Sequence, residues 1–261
     1  WEVPAYVWTK AIATGTFLMM AVWHYFNGGL DASSEMAGLI ITLIFMGLTG
    51  ALLVKDINRP DRFLYVLLRP QWKSWLVRGA YIITVFGGLV SLKLLDNYLQ
   101  LGFDWLWIPG IVFAGLGAVY TAFLFNQARA RDLWQTPIQS AIHMLVHAVM
   151  AGSVVMMIIA PDSSQWMVNI LFWGIVANMI IIAKEILLPH DTPDTKKAIE
   201  LMTKGYYSKY FWVGIVMGSL LPIAILNTVP DLSIIAGGLA LVGIYLTEFV
   251  RIRVPQMIPL S

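Results

Sequence analysis

Apolar and polar positions in this chain segregate into long blocks. Runs of roughly 20 mostly apolar residues are separated by shorter polar stretches. A helix rises about 1.5 Å per residue and the hydrocarbon core of a bilayer is about 30 Å thick, so each such run is long enough to cross a membrane. Eight qualify: Val7 to Phe26, Ala37 to Val54, Leu76 to Leu95, Trp105 to Phe125, Pro137 to Ala160, Trp166 to Leu188, Tyr210 to Val229 and Leu232 to Val250. The pattern predicts an all-α integral membrane protein.

The cationic residues orient these spans. Lys and Arg collect on the cytoplasmic side of membrane proteins, near helix ends. With eight spans, 16 of the 17 Lys/Arg residues fall at one face, and only Lys93 falls at the other. The basic face holds Lys10, then six residues between Lys55 and Arg78, then Arg129 and Arg131, then Lys184, Lys196, Lys197, Lys204 and Lys209, and finally Arg251 and Arg253. Adding or removing a span would scatter them over both faces. The basic face is therefore expected to be cytoplasmic, with both termini on it.

Composition agrees with the block pattern. The chain has 261 residues, of which 59% are hydrophobic and 12% charged, and its mean hydropathy is +0.74. A soluble domain is about a quarter charged. A net charge of +2 gives no reason to expect a nucleic-acid partner. The absence of cysteine excludes disulfides, thiolate metal sites and any iron–sulfur cluster held by this sequence. No phosphate-binding glycine loop, HExxH or GxSxG occurs, so nucleotide-driven and hydrolytic chemistry have no support.

Loops on the face opposite the basic one are short ("NGGLDASSEM", "DNYLQLGFD", "PDSSQ", "NTVPD"), whereas the basic face carries the two long connections, Lys55 to Trp75 and Pro189 to Lys209. The chain reads as a single membrane domain of four hairpins. Each even-numbered span ends in a mixed polar cluster at the basic face ("VKDINRP", "FNQARARD", "AKEILLPHD", "TEFVRIRVP"), which suggests two four-helix halves, 1–134 and 135–261. Spans ending alike for reasons of charge alone is the competing explanation. In the first long connection, "RFLYVLLRPQW" places Phe63, Tyr65, Val66 and Leu67 beside Arg62 and Arg69, a mixture suited to a segment lying in the interface.

Ionisable groups inside a bilayer are costly, so each marks a candidate site unless it can snorkel. Lys93, Asp96 and Arg253 are expected to snorkel or to lie in water. Carboxylates are short, which makes Asp56, Glu185 and Glu248, together with Arg78, candidates for a proton path from the basic face; structural ion pairing is the alternative. At the other face the first span ends in "AVWHYFNGGLD", with His24, Tyr25 and Asn27, and Asp104 opens the fourth span on the same side. Imidazole exchanges protons near neutral pH and an amide can donate to a carbonyl oxygen, as a quinone headgroup requires. His143 and His147, spaced i, i+4 in "IHMLVHAVMAG", share one helix face and invite a haem reading. Depth counts against it. At about 1.5 Å per residue from the basic face, His24 lies at about 25 Å, His147 at about 15 Å and His143 at about 9 Å, so no two histidines on different helices match.

The stretches "LLVKDINRPDRFLYVLLRPQWKSWLVRGAYI", "FNQARARDLWQTP" and "AKEILLPHDTPDTKKAIELMTKGYYSKYFWVGIVMGSLLP" occur in an order that resembles the NrfD/PsrC family, the quinone-reactive membrane subunits of polysulfide reductase-type complexes. The most specific element has the form D-L/I-x-R-P-x-R-F followed by a basic, Trp/Ser-containing stretch that opens the next helix. The resemblance implies eight helices in two four-helix bundles, binding menaquinone or ubiquinone, with no haem, iron–sulfur cluster or metal in this chain. It also implies a bacterial cytoplasmic membrane location and two kinds of partner: a ferredoxin-like iron–sulfur subunit and a further catalytic or cytochrome subunit, in a molybdoenzyme or alternative complex III type assembly. Asp56 and Glu185 fall where the family's proposed proton-route acids stand. Such a subunit exchanges electrons, and in some members protons, without completing a reaction alone. The alternatives are an ion-coupled secondary transporter through Asp56, Glu185 and Glu248, with Pro109 and Pro222 as helix breaks, and a b-type cytochrome subunit using His143 or His147.

Overall fold

The computed structural model describes residues 1–56, 66, 68–128, 131–188 and 192–258. The D-I-N-R-P-D-R-F core beyond Asp56, Arg62 to Tyr65 and Leu67 of the expected interfacial segment, and Arg59 and Arg129 lie outside the described residues. Eight helices are long and apolar enough to cross a membrane, and no strand occurs among the described residues.

The spans are α1 (Glu2–Asn27), α2 (Ala32–Asp56), α3 (Trp75–Leu99), α4 (Trp107–Asn126), α5 (Pro137–Ile159) and α6 (Ser164–Leu187). A short amphipathic helix α7 (Pro193–Thr203) follows. The seventh span is α8 (Ser208–Ile215) and α9 (Leu221–Thr228), joined by a π-helical turn, Val216–Leu220, and the eighth is α10 (Ser233–Arg253). The expected spans match these to within a few residues. Pro222 explains the π turn, because it has no N–H to give to the preceding turn.

Helix ends follow from local chemistry. Asp31 caps α2 by accepting the Ser33 hydroxyl and the Ser34 N–H (3.0 Å), bonds that hold its carboxyl well below the usual carboxylate range. Thr192 caps α7, accepting from the Thr195 N–H at 3.2 Å with Pro193 at the first helical position. Gly28, with φ 81°, ends α1 in the left-handed conformation.

Helix α1 is the axis of the bundle and packs against α2, α4, α5 and α10. Small residues fill the middle of its buried stretch, Ala13 to Thr16, and its hydroxyls there turn back onto their own helix: Thr14 donates to the Lys10 carbonyl (2.8 Å) and Thr16 to that of Ile12 (2.7 Å). This satisfies each hydroxyl where no water is present. Between α1 and α5 the backbones touch. A Cβ on Gly152 would lie 2.0 Å from the Gly15 carbonyl oxygen, so only glycine permits this approach, the usual way membrane helices come close without a hydrophobic driving force.

At the basic face each end of the chain is tied to an inner segment. Lys55 pairs with Glu2 at 3.6 Å, and Arg131 donates to the carbonyls of Pro255 (2.9 Å) and Ile258 (2.7 Å). Lys10, by contrast, does not stand at that face as its sequence position suggested. It is 1% exposed and points into the bundle, because eight residues of helix precede it and the basic end of α1 is buried by its neighbours.

Candidate functional site

Two buried groups of ionisable residues occupy opposite ends of the bundle. The first joins α5, α6 and α10 on the basic side. His143 and His147 share one face of α5, Asn178 and Glu185 lie seven residues apart on one face of α6, and Glu248 and Arg251 lie three apart on α10. Arg251 binds Glu185 (Nε to Oε2, 3.0 Å) and Glu248 (Nη1 to Oε1, 3.2 Å), and also donates to Nδ1 of His143. Nε2 of both histidines converges on Oδ1 of Asn178, at 2.6 and 2.9 Å. Nδ1 of His147 faces Glu248 at 3.3 Å.

All of these except Arg251 have been taken almost fully out of solvent, and the histidines are 0 and 1% exposed. Burying a carboxylate is strongly unfavourable unless a cation and hydrogen bonds compensate it, and the guanidinium does so here for two at once. The histidine and Glu248 ligand atoms lie within 4.8 Å of one another. Arg251 occupies His143 and flanks Glu248, so the charge of a bound cation would face a guanidinium. A bis-histidine haem does not fit either, since both Nε2 atoms point at one amide oxygen instead of flanking an iron from two faces.

A cavity of about 340 Å³ opens from the basic face above this group, lined by Asp132, Gln139, Lys184, Glu185, Thr192 and Thr195. Glu185 also lines a smaller inner pocket with Glu248, Arg251 and Met144. Helix α7 forms one wall of the outer cavity, seated through Ala198, Ile199 and Met202 on an apolar cluster that includes Phe211 and Val250.

The second group lies at the opposite ends of α1 to α4. Lys93 pairs with Asp96 (2.8 Å), Glu35 (3.5 Å) and Asp104 (3.8 Å). Lys93 and Asp96 are 4 and 3% exposed, so the expectation that they snorkel into water is corrected: Glu35 of α2 and the loop after α3 close over them. The Phe103 N–H donates to Asp96 at 2.8 Å and fastens that loop. The Lys93 ammonium stands 5.1 Å from the centre of the Trp107 ring, against whose plane His24 stacks at 5.1 Å and 28°. The indole N–H of Trp107 is buried with no acceptor among the described residues.

Of the four sequence-chosen quinone residues, the structure links His24 and Asp104 through Trp107 and Lys93. Tyr25 packs edge-on against His24 and is exposed, as is Asn27. Of the four proton-path residues, Glu185 and Glu248 share Arg251. Asp56 and Arg78 are exposed at the basic face, neither bonded to them; Arg78 donates to the Trp72 carbonyl at 2.6 Å and lies over the Trp75 ring. Sequence reasoning passed over Arg251, Asn178, Lys10, Glu35 and Trp107. Helical spacing would have found the first two, since Glu248/Arg251 and Asn178/Glu185 each share a helix face.

A search of curated proteins finds no match. Residues 1–259 match the family described as polysulphide reductase, NrfD. The chain, an eight-span membrane protein, therefore belongs to the NrfD polysulphide reductase family.

Proposed function

We propose that this protein is the quinone-reactive membrane anchor of a multisubunit iron–sulfur oxidoreductase in a bacterial cytoplasmic membrane. It exchanges electrons between menaquinone or ubiquinone and a ferredoxin-like subunit, which in turn serves a further catalytic or cytochrome subunit. Membership of the NrfD family carries the general role. The single observation that carries the site is the buried Lys93 ammonium against Trp107 and His24. The lack of cysteine fits a division of labour in which the partner holds the iron–sulfur clusters.

The residues suit a quinone headgroup. The free indole N–H of Trp107 and the His24 imidazole are hydrogen-bond donors for carbonyl oxygens. Asp104, 74% exposed on its side chain yet paired to Lys93, gives a route for protons between water and this group. When bound, the quinone supplies two-electron, two-proton redox chemistry. The chain's part is to hold the ring, to keep a positive charge close to where negative charge develops, and to move protons through His24 and Asp104. In this reading the iron–sulfur partner docks over this face, the basic face is cytoplasmic, and Glu185 and Glu248 serve proton exchange from that side, with Asp56 and Arg78 at its rim.

His24→Ala tests the site. In the intact complex it is expected to raise the KM for quinol about ten-fold, the loss of one good hydrogen bond, with normal subunit assembly. Wild-type kinetics across the quinol range would remove His24 from the site.

A further inference from the structure

We propose that the outer cavity at the basic face is the headgroup pocket of a bound phospholipid, a zwitterionic one whose headgroup ends in a primary ammonium. The inference is independent of the quinone site, which lies at the other end of the bundle.

The cavity does not stand alone. Beside it, between the start of α5 and the end of α6, lies a second hollow of about 460 Å³ walled by Pro137, Ile138, Ile142 and Ile181. Thr136, Gln139 and Lys184 line both hollows, so the two adjoin. Ile138 and Ile142 are 71 and 52% exposed, and on a membrane-spanning helix such side chains face acyl chains. Each hollow has the size of a small-molecule site, about 300–1,000 Å³.

The order of chemistry along this site is the order along a phospholipid. The isoleucines come first, at the lipid side. The three shared residues follow, and they offer a hydroxyl, an amide and an ammonium to a phosphate. Two of them stand at the start of α5, where Thr136 provides no side-chain cap and the first N–H groups have no helical acceptor, a position that favours negative charge. Beyond them, Asp132 and Glu185 line the polar cavity and not the apolar hollow, so the carboxylates are confined to that end.

Charge decides between occupants. Lys184 and Asp132 line one cavity, yet neither enters an ion pair among the described residues. Oε2 of Glu185 is buried without a hydrogen-bond donor: Nε of Arg251 stands 3.0 Å away, but the N–H bonds that Arg251 makes to this carboxylate go to Oε1. An uncharged ring would leave both signs of charge unmet. A lipid with a phosphate and a neutral head would satisfy Lys184 and leave the carboxylates unanswered. A phosphate followed by an ammonium meets each group with the opposite sign, and a primary ammonium has N–H donors that a trimethylated one lacks.

A phosphatidylethanolamine carrying a diazirine in its acyl chain, added to the purified complex in phosphatidylglycerol nanodiscs, is expected on illumination to label the peptides around Ile138 to Ile142 and Ile181. Unlabelled phosphatidylethanolamine should suppress that label at a concentration about ten-fold lower than phosphatidylcholine, which keeps the charge and lacks the N–H donors. Asp132→Asn should shrink this difference, and Lys184→Met should lower the labelling itself about ten-fold. Equal competition by the two lipids overturns the proposal. So does wild-type behaviour in both variants, or a label that excess quinol suppresses and phosphatidylethanolamine does not. If a variant fails to assemble, the wild-type competition decides alone.

Discussion

Arg251→Leu is expected to destabilise the protein by about 3–5 kcal/mol, the cost of leaving buried charges without their partner. Arg251 is the only Lys or Arg ion-paired with Glu185 and Glu248 among the described residues, and it also satisfies Nδ1 of His143. With both carboxylates nearly excluded from solvent, the discount applied to surface ion pairs does not arise. The loss should appear as a fall in melting temperature on the order of 10 °C. Arg251→Lys should recover only part of it, because an ammonium supplies the charge without the fork that reaches three side chains. Adding Glu248→Gln to Arg251→Leu should restore some stability by removing one of the stranded charges. A melting temperature unchanged in Arg251→Leu would mean that the carboxylates are not ionised in the fold.

The second large effect is expected at the other end of the bundle. Lys93→Met strands Glu35 and Asp96, both buried, and removes the only positive charge beside Trp107 among the described residues. Quinol-linked turnover is expected to fall 100-fold or more, on the order of 3 kcal/mol of lost electrostatic stabilisation. Stability falls as well, so the double variant Lys93→Met, Asp96→Asn separates the two effects. It should regain part of the melting temperature while turnover stays low. Turnover that recovers with stability would assign Lys93 a structural role alone.

Much of the fold was legible because a bilayer imposes a length. A helix of about 20 apolar residues satisfies its own backbone, and nothing shorter crosses, so hydropathy found the eight spans almost to their ends. Hydropathy does not distinguish a helix facing lipid from one facing protein. Thus α1 read as one span among eight, although its small residues and inward Lys10 make it the bundle's axis.

The candidate sites were half legible. Glu185, Glu248, His24 and Asp104 stood out because charges and imidazoles are expensive in hydrocarbon. Their partners did not, because pairing across helices depends on rotations that a single sequence leaves open. Lys93 was misjudged for this reason: close to a helix end, it had water within reach of its long chain, yet Glu35 of the neighbouring helix and the loop fastened by Phe103 closed over it. The i, i+3 spacing of Lys93 and Asp96 was the signal available, and it is a spacing common on solvated helix faces too.

The most direct test of a quinone-reactive anchor is where a quinone sits. The purified complex, labelled with a photoreactive azidoquinone and digested, should yield label on the peptides around His24 to Leu30 or Phe103 to Trp107, and excess quinol should suppress it. Label confined to the cavity of Asp132, Lys184 and Glu185, or label that excess quinol fails to displace, would contradict the account.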